Sequence, residues 1–474
     1  MKFNIVGILV LVLTIFGCRT DNSDASKLSA YLGGEIINPS SKYIILEKDN
    51  IVIDSIRLDG RNRFMFKIDT VTQGMYTFVH GIENQVFLIE PEDSLLFRLN
   101  TLEFDESLVY TGKGAKKNNY FINEFLENEK EEKHILKLCQ LNPIAFEKGV
   151  DSLKQKKLKH LDHFVDKHNP SDLFKKIANA NINYQYYSYK EAYPLIQYGK
   201  NKCDFYSELP KTFYSYRKDI DYNDTFFKNY RNYKMFLRYN LSNISLESHS
   251  KHNKAKKFDW FSSCYNLERL HIIDSLVTDR SLKDELLYKY AMKYIALSNN
   301  PEGNALILKS FIEKSKDQTL QNKLTSYANA LKTFEANTHL PSFNVLDYDN
   351  NIFDFSALVN STTVINFWSH AHYRHFKESQ EKISKLKKRY PEVKFISINI
   401  DDFGLEKTKQ TLRKSNCSFY DQYVFKTPDV SKKTLAIYPM TKTIVIDKNK
   451  KIENHNTNIF SGNFEQQLLG MLNR

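Results

Sequence analysis

The spacing of apolar positions changes character twice along the chain. From Leu28 to Thr111 apolar residues come in short runs: Tyr43 to Leu46, Ile51 to Leu58, Arg63 to Ile68, Met75 to His80, Gln85 to Ile89 and Leu95 to Leu99. Between them stand Gly33-Gly34, Asp49-Asn50, Asp59-Gly60, Gly74 and Pro91-Glu92-Asp93, the residue types that turns require. The pattern predicts a small all-β sandwich or barrel, antiparallel, over residues 28–112. After Gly112-Lys113-Gly114-Ala115 the period lengthens to that of a helix. Asn118 to Leu138, Ala145 to His168, Ser171 to Tyr187, Tyr222 to Leu241, Asp259 to Leu276, Ser281 to Leu297, Pro301 to Lys314 and Asp317 to Ala336 all carry it. Breaks at Asn142-Pro143, Asn169-Pro170, Leu209-Pro210 and Asn299-Asn300-Pro301 separate them, so an all-α middle domain is predicted over 113–336. It shows no repeat period, which argues against a solenoid.

From Leu340 the two periods alternate. Asn344 to Asp347 and Ile352 to Phe355 read as a hairpin, and Val364 to Phe367 is an apolar run with the length of a buried strand. An amphipathic helix reaches about Tyr390, and Val393 to Ile400 is a second buried strand ending in Asp401-Asp402. A helix from Leu405 to Ser415, a hairpin of Thr443 to Asp447 with Lys451 to Asn454, and a helix over Phe464 to Leu472 complete an α/β domain at 340–474. The chain therefore reads as multi-domain: all-β, then all-α, then α/β.

Composition adds little to this and the N-terminus adds more. A net charge of +12 in 474 residues is spread along helical stretches beside Glu and Asp, so solvated helix faces, and no nucleic-acid partner, are expected. Lys2, the apolar run Ile5 to Phe16 and then Gly17-Cys18 form a secretory leader over 1–17 with a lipobox-like end. Cys18 would be the acylated first residue of the mature chain, 18–27 a tether, and the membrane a partner through the lipid. The expected location is the bacterial cell envelope, on the periplasmic face or the cell surface. Cys139, Cys203, Cys264 and Cys417 permit three disulfide pairings or none, and the spacings do not choose.

The stretch with most to say about chemistry is Thr362 to Phe376, Thr-Thr-Val-Ile-Asn-Phe-Trp-Ser-His-Ala-His-Tyr-Arg-His-Phe. A strand closed by Trp368 feeds a helix through a short loop. The junction resembles that of the periplasmic thiol-disulfide reductases of the TlpA/ResA type, which read Asn-Phe-Trp-Ala-x-Trp-Cys-x-x-Cys. In that register the two cysteine positions fall on His372 and His375. Leu340-Pro341-Ser342-Phe343 and Ile437-Tyr438-Pro439-Met440-Thr441 match the same family's entry segment and cis-proline loop, and the β-domain resembles the one found ahead of thioredoxin-like domains in Bacteroidetes lipoproteins. The resemblance implies a thioredoxin-like C-terminal fold. Imidazoles cannot attack a disulfide or resolve a mixed one, so no turnover of disulfides is expected.

Several roles stay open for such a site. In this fold the backbone before the cis-proline, here Tyr438, pairs with extended peptides, so Tyr438 and Pro439 are candidates for a peptide groove and a protein or peptide of the envelope is a candidate partner. His370, His372 and His375 could offer three ligands to Zn or Cu; against this, no carboxylate stands beside them in the chain to fix their tautomers. Cys417 could support a lone-thiol enzyme. A cleft between domains could hold an unrelated one, but there is no nucleophile elbow, H-E-x-x-H or phosphate-binding glycine loop. The tyrosine-rich run Tyr184 to Tyr193 reads as packing between helices, with a stacking platform as the alternative, and His249-x-x-His252 reads as part of an exposed polar loop.

Overall fold

The structure is a computed structural model that describes residues 28–49, 51–81, 83–198, 205–252, 259–334, 338–402 and 404–472. The leader, Cys18 and Cys203 lie outside the described residues. The chain forms two compact units, one of residues up to 138 with 152–183, the other of 139–151 with 184–474. The division falls within the helical segment.

The first unit is a sandwich of two four-stranded sheets. Strands β1 (Ala30–Ile37), β4 (Arg63–Ile68), β7 (Ser94–Asn100) and β8 (Val109–Thr111) make one in the order β4-β1-β7-β8. The other has the order β3-β2-β5-β6, from β2 (Tyr43–Lys48), β3 (Ile51–Arg57), β5 (Gly74–His80) and β6 (Glu83–Ile89). Alternating residues such as Leu32, Phe66, Phe78, Phe87, Leu95 and Phe97 fill the space between the sheets. The expectation of a purely antiparallel sheet fails at one pair, because β1 and β7 run parallel. A short helix α1 (Phe104–Ser107) and a long one, α2 (Ala115–Leu138), follow. Consecutive asparagines on α2 close strand backbones: the Asn118 side chain accepts from Leu88 N–H at 2.7 Å and donates to its carbonyl at 2.8 Å, and Asn119 does the same for Tyr110 at 2.8 Å each. Edge groups left open would template further strands, and the two amides cover them.

Helices α3 (Pro143–His168) and α4 (Asp172–Tyr198) pass from one unit into the other. The second unit continues with α5 (Arg231–His252), α6 (Ser263–Leu276), α7 (Arg280–Leu297), α8 (Pro301–Lys314) and α9 (Gln318–Lys332). Side-chain caps from Ser262, Asp279, Asn300 and Asp317 start the last four of these. The tyrosine run is core: Tyr187 stacks on Tyr216 at 4.2 Å, Tyr184 meets Tyr233 edge-on at 5.0 Å, and Tyr193 stacks on Phe146 at 4.0 Å. Glu191, fully buried in the same run, accepts from Arg217, Tyr216, Asn240 and Asn243, which is how a carboxylate survives there. The exposed-loop reading of His249 is wrong. The residue lies on α5, is 1 % exposed and meets the Tyr265 ring at 5.9 Å, because the helix runs on through Ser248 and Ser250 to His252.

A seven-stranded sheet ends the chain, in the order β10-β9-β13-β12-β11-β14-β15. Its strands are β9 (Asn344–Leu346), β10 (Ile352–Asp354), β11 (Thr363–Trp368), β12 (Lys394–Asn399), β13 (Gln422–Phe425), β14 (Thr443–Ile446) and β15 (Ile452–Thr457). Every residue of β11 is buried, Thr363 and Asn366 included, because the strand is central and Val364, Ile365, Phe367 and Trp368 carry apolar side chains on both of its faces. Helices α10 (Tyr373–Arg389), α11 (Leu405–Lys414), α12 (Pro428–Thr434) and α13 (Phe464–Leu472) accompany the sheet. Ile383, Leu386 and Tyr390 of α10 pack with Val364, Phe395 and Leu468. β13 and α12 do not follow from the sequence pattern. Among the described residues no helix is long and apolar enough to cross a membrane.

Candidate functional site

Strand β11 has β12 on one side, parallel, and β14 on the other, antiparallel, with β15 beyond β14. With α10 between β11 and β12, and α13 after β15, this is the thioredoxin-like arrangement, extended by β13, β9 and β10 on the β12 side. The end of β11 and the start of α10 form the strand-to-helix junction that the sequence singles out, and His370 to His372 form a single 3-10 turn between them.

At that junction Trp368 is fully buried, packed on Phe376 at 4.3 Å and beside the His370 ring at 5.2 Å. Its indole N–H and both amide atoms of Asn366, two residues back on the same strand, have no hydrogen-bond partner among the described residues. His372 is exposed and stands at the N-cap of α10 without a capping side-chain bond. His375 is half-buried one turn on, with Nε2 at 3.3 Å from the Ser379 hydroxyl and its ring 5.7 Å from Phe460. Burial, and then the neighbouring His372 imidazole, hold the His375 imidazole below its ordinary pKa, which favours its neutral form.

The third histidine belongs to a different arrangement. His370 Nδ1 lies 2.7 Å from Asp401 Oδ2, and the same oxygen accepts from the His370 backbone N–H at 2.6 Å. The Ser369 hydroxyl donates to Asp401 Oδ1 at 2.7 Å, and Asn399 Nδ2 to Oδ2 at 3.3 Å. Burial opposes ionisation of Asp401, but these donors outweigh it and hold the carboxyl down to about 2. The carboxylate fixes the imidazole tautomer with its proton on Nδ1. This corrects the expectation that no carboxylate stands beside the histidines. Sequence offered a signal: in the parallel β11–β12 register Trp368 pairs with Asn399, so two residues on His370 faces Asp401.

His370 is thus directed to Asp401, and among the described residues no three His, Cys, Asp or Glu side chains converge to hold a metal ion. The triplet His370, His372 and His375 is not gathered as a ligand set. Cys417 packs against the cluster of Trp368, Phe376 and Leu412, its thiol 3.5 Å from the Ser415 carbonyl, and burial pushes its pKa up. A thiol so held is a poor nucleophile.

The Tyr438–Pro439 bond is cis. Both backbone groups of Tyr438 are engaged within the chain. Its carbonyl accepts from the Tyr327 hydroxyl of α9 at 3.1 Å, the two rings meeting edge-on at 6.4 Å, and its N–H donates to the Ala436 carbonyl at 3.0 Å. The loop is pinned further by Lys442, 2 % exposed, whose ammonium donates to the Leu435 and Ala436 carbonyls at 3.0 and 2.9 Å and lies 4.8 Å from the centre of the Phe334 ring. Neither Tyr327 nor Lys442 carried a signal in the sequence, since each belongs to an ordinary helical or loop context.

No protein-family model and no curated protein matches the chain. Solved structures resembling it include a candidate thiol-disulfide oxidoreductase from Bacteroides vulgatus, at 17% identity and TM-score 0.26, covering 29% of this chain and 97% of its own. A candidate thiol:disulfide interchange protein DsbE from Chlorobium tepidum has 16% identity and TM-score 0.26, covering 29% and 99%. The thioredoxin domain of a thiol-disulfide oxidoreductase from Bacteroides vulgatus has 15% identity and TM-score 0.24, covering 29% and 96%. The fold assignment rests on the strand order above, and no activity passes to this chain from likenesses of this depth.

Proposed function

We propose that this chain is an exported, lipid-anchored thioredoxin-like protein of the cell envelope that does not exchange disulfides and acts by binding. The observation that carries the reading is the start of α10. There His372 and His375 occupy the positions where the TlpA/ResA resemblance puts a dithiol, and the one cysteine packed nearby, Cys417, is held as a thiol. Export and anchoring rest on the leader and Cys18. The peptide-groove role of Tyr438 and Pro439 comes with a condition: a strand docking there must displace the Tyr327 hydroxyl from the Tyr438 carbonyl. Nothing in the histidine geometry favours the metal reading over this one. Glutathione-coupled disulfide reduction by the purified protein, with and without added Zn or Cu, is the test. The expected rate is the uncatalysed background under all conditions, and turnover above it would overturn the non-catalytic reading.

A further inference from the structure

The helical part of the second unit holds a buried cation whose charge no carboxylate balances among the described residues. Arg269 of α6 is 6 % exposed, and its guanidinium lies between two aromatic rings, 4.4 Å from the centre of Tyr265 and 4.7 Å from that of Tyr290. One terminal nitrogen donates to the Tyr265 hydroxyl, while Nε is buried with no acceptor among the described residues. Among the described residues no carboxylate is within salt-bridge reach of it. Glu191 shows what this chain does elsewhere with a buried charge: it pairs it with Arg217 at 2.7 Å and completes its hydrogen bonds. A desolvated ion without a counter-ion costs several kcal/mol, of which two aromatic faces return only a part, on the order of 2 kcal/mol each at most.

The surroundings add positive charge. Arg238 of α5 and Lys289 and Lys293 of α7 are exposed. Lys289 and Lys293 stand one helical turn apart, a spacing at which like charges repel. Partial burial, then the charges of Arg269, Arg238 and Lys289, hold the Lys293 ammonium below its ordinary value. Lys289 is lowered by burial and then by Arg238, with Glu285 opposing. Glu285 is itself 3.3 Å from Lys234. The Tyr290 hydroxyl donates to the Arg238 carbonyl at 3.2 Å, which ties the α5 and α7 sides of the cluster to the ring that covers Arg269.

We propose that Arg238, Arg269, Lys289 and Lys293 form a binding site for a multiply charged oxyanion of the phosphoryl class. A phosphoryl group supplies the acceptor that Arg269 Nε lacks, and its second charge answers the lysines, as a monoanion would not. The site lies apart from the α10 junction and stands whether or not that junction is redox-silent.

The test is calorimetric titration of the full chain with inorganic pyrophosphate, beside flotation with phosphatidylglycerol/phosphatidylcholine vesicles and with pure phosphatidylcholine vesicles. Saturable pyrophosphate binding that weakens about ten-fold or more in both Arg269→Gln and Lys293→Gln establishes the site for free phosphoryl groups. Binding only to the anionic vesicles, with the same dependence on the two residues, establishes it for a lipid headgroup. Lys293 is exposed, so its variant folds even if Arg269→Gln does not. The proposal is overturned by absence of binding in both arms, or by an equal loss in Lys309→Gln, an exposed lysine beside Glu313 on α8 that is no member of the cluster and reports only general charge attraction.

Discussion

Asp401→Asn isolates the charge of the carboxylate that organises the β11–α10 loop while keeping its shape and one acceptor oxygen. In the folded chain Asp401 titrates near 2 against an ordinary value of 3.8, because His370, its backbone N–H and Ser369 all donate to it. That difference corresponds to about 2.4 kcal/mol of stability. The side chain keeps 14 % exposure, so water screens part of this, and about 1–2 kcal/mol is the expected loss in Asp401→Asn at pH 7. A depressed carboxyl stabilises only where it is ionised. The contribution is full above about pH 4, roughly half remains at pH 3, and it is gone below about pH 2. Urea unfolding read by tryptophan fluorescence suits the test, because Trp368 is fully buried beside His370 whereas Trp260, the only other tryptophan, is exposed. The gap in unfolding free energy between native protein and variant should fall by about half from pH 6 to pH 3. A gap near zero at pH 6, or one equal at both pH values, would refute the assignment of Asp401 as the charged anchor of the loop.

Two further outcomes follow from the cis-proline loop. Tyr327→Phe removes the donor to the Tyr438 carbonyl and should cost about 0.5–1.5 kcal/mol in urea unfolding; a neutral result would mean the bond contributes nothing to holding α9 on the loop. Lys442 is pushed down to about 7 by burial, with no carboxylate in salt-bridge reach among the described residues, and His455 close by is lowered to about 4. Between about pH 7 and 10 the unfolded chain binds a proton at this lysine that the folded chain does not, so stability should rise with pH over that window, by about 2–4 kcal/mol. Lys442→Met should abolish the rise, and persistence of the rise in that variant would place its origin elsewhere.

The sequence was most legible where one physical requirement dominates. Val364, Ile365, Phe367 and Trp368 put apolar side chains on both faces of one short stretch, which only a buried strand accommodates, and Pro439 stood out because its flanking residues fit a known loop. The period changes near 112 and 340 located the β, helical and α/β stretches. What escaped was decided by partners distant in the chain. Strand β13 and helix α12 are short, and their burial comes from neighbours, not from a pattern of their own. Ser248, Ser250 and Lys251 give the surroundings of His249 the polarity of a loop, yet helical spacing sets it against Tyr265. Asp401 could have been found by writing the two buried strands side by side in parallel register. Tyr327 could not, because its role depends on how α9 docks onto a loop 111 residues later. The same holds for Arg269, whose unbalanced charge becomes visible only once its neighbours are known.

The most direct test of the central claim is insulin reduction by the native protein beside a His372→Cys/His375→Cys double variant, at equal concentration and pH. His372 is the N-cap of α10 and His375 lies on its first turn, where a helix N-terminus lowers a thiol's pKa. The native protein is predicted to be inert and the double variant to reduce insulin in the presence of a dithiol donor. Reduction by the native protein, or an inert double variant that is folded, would contradict the account.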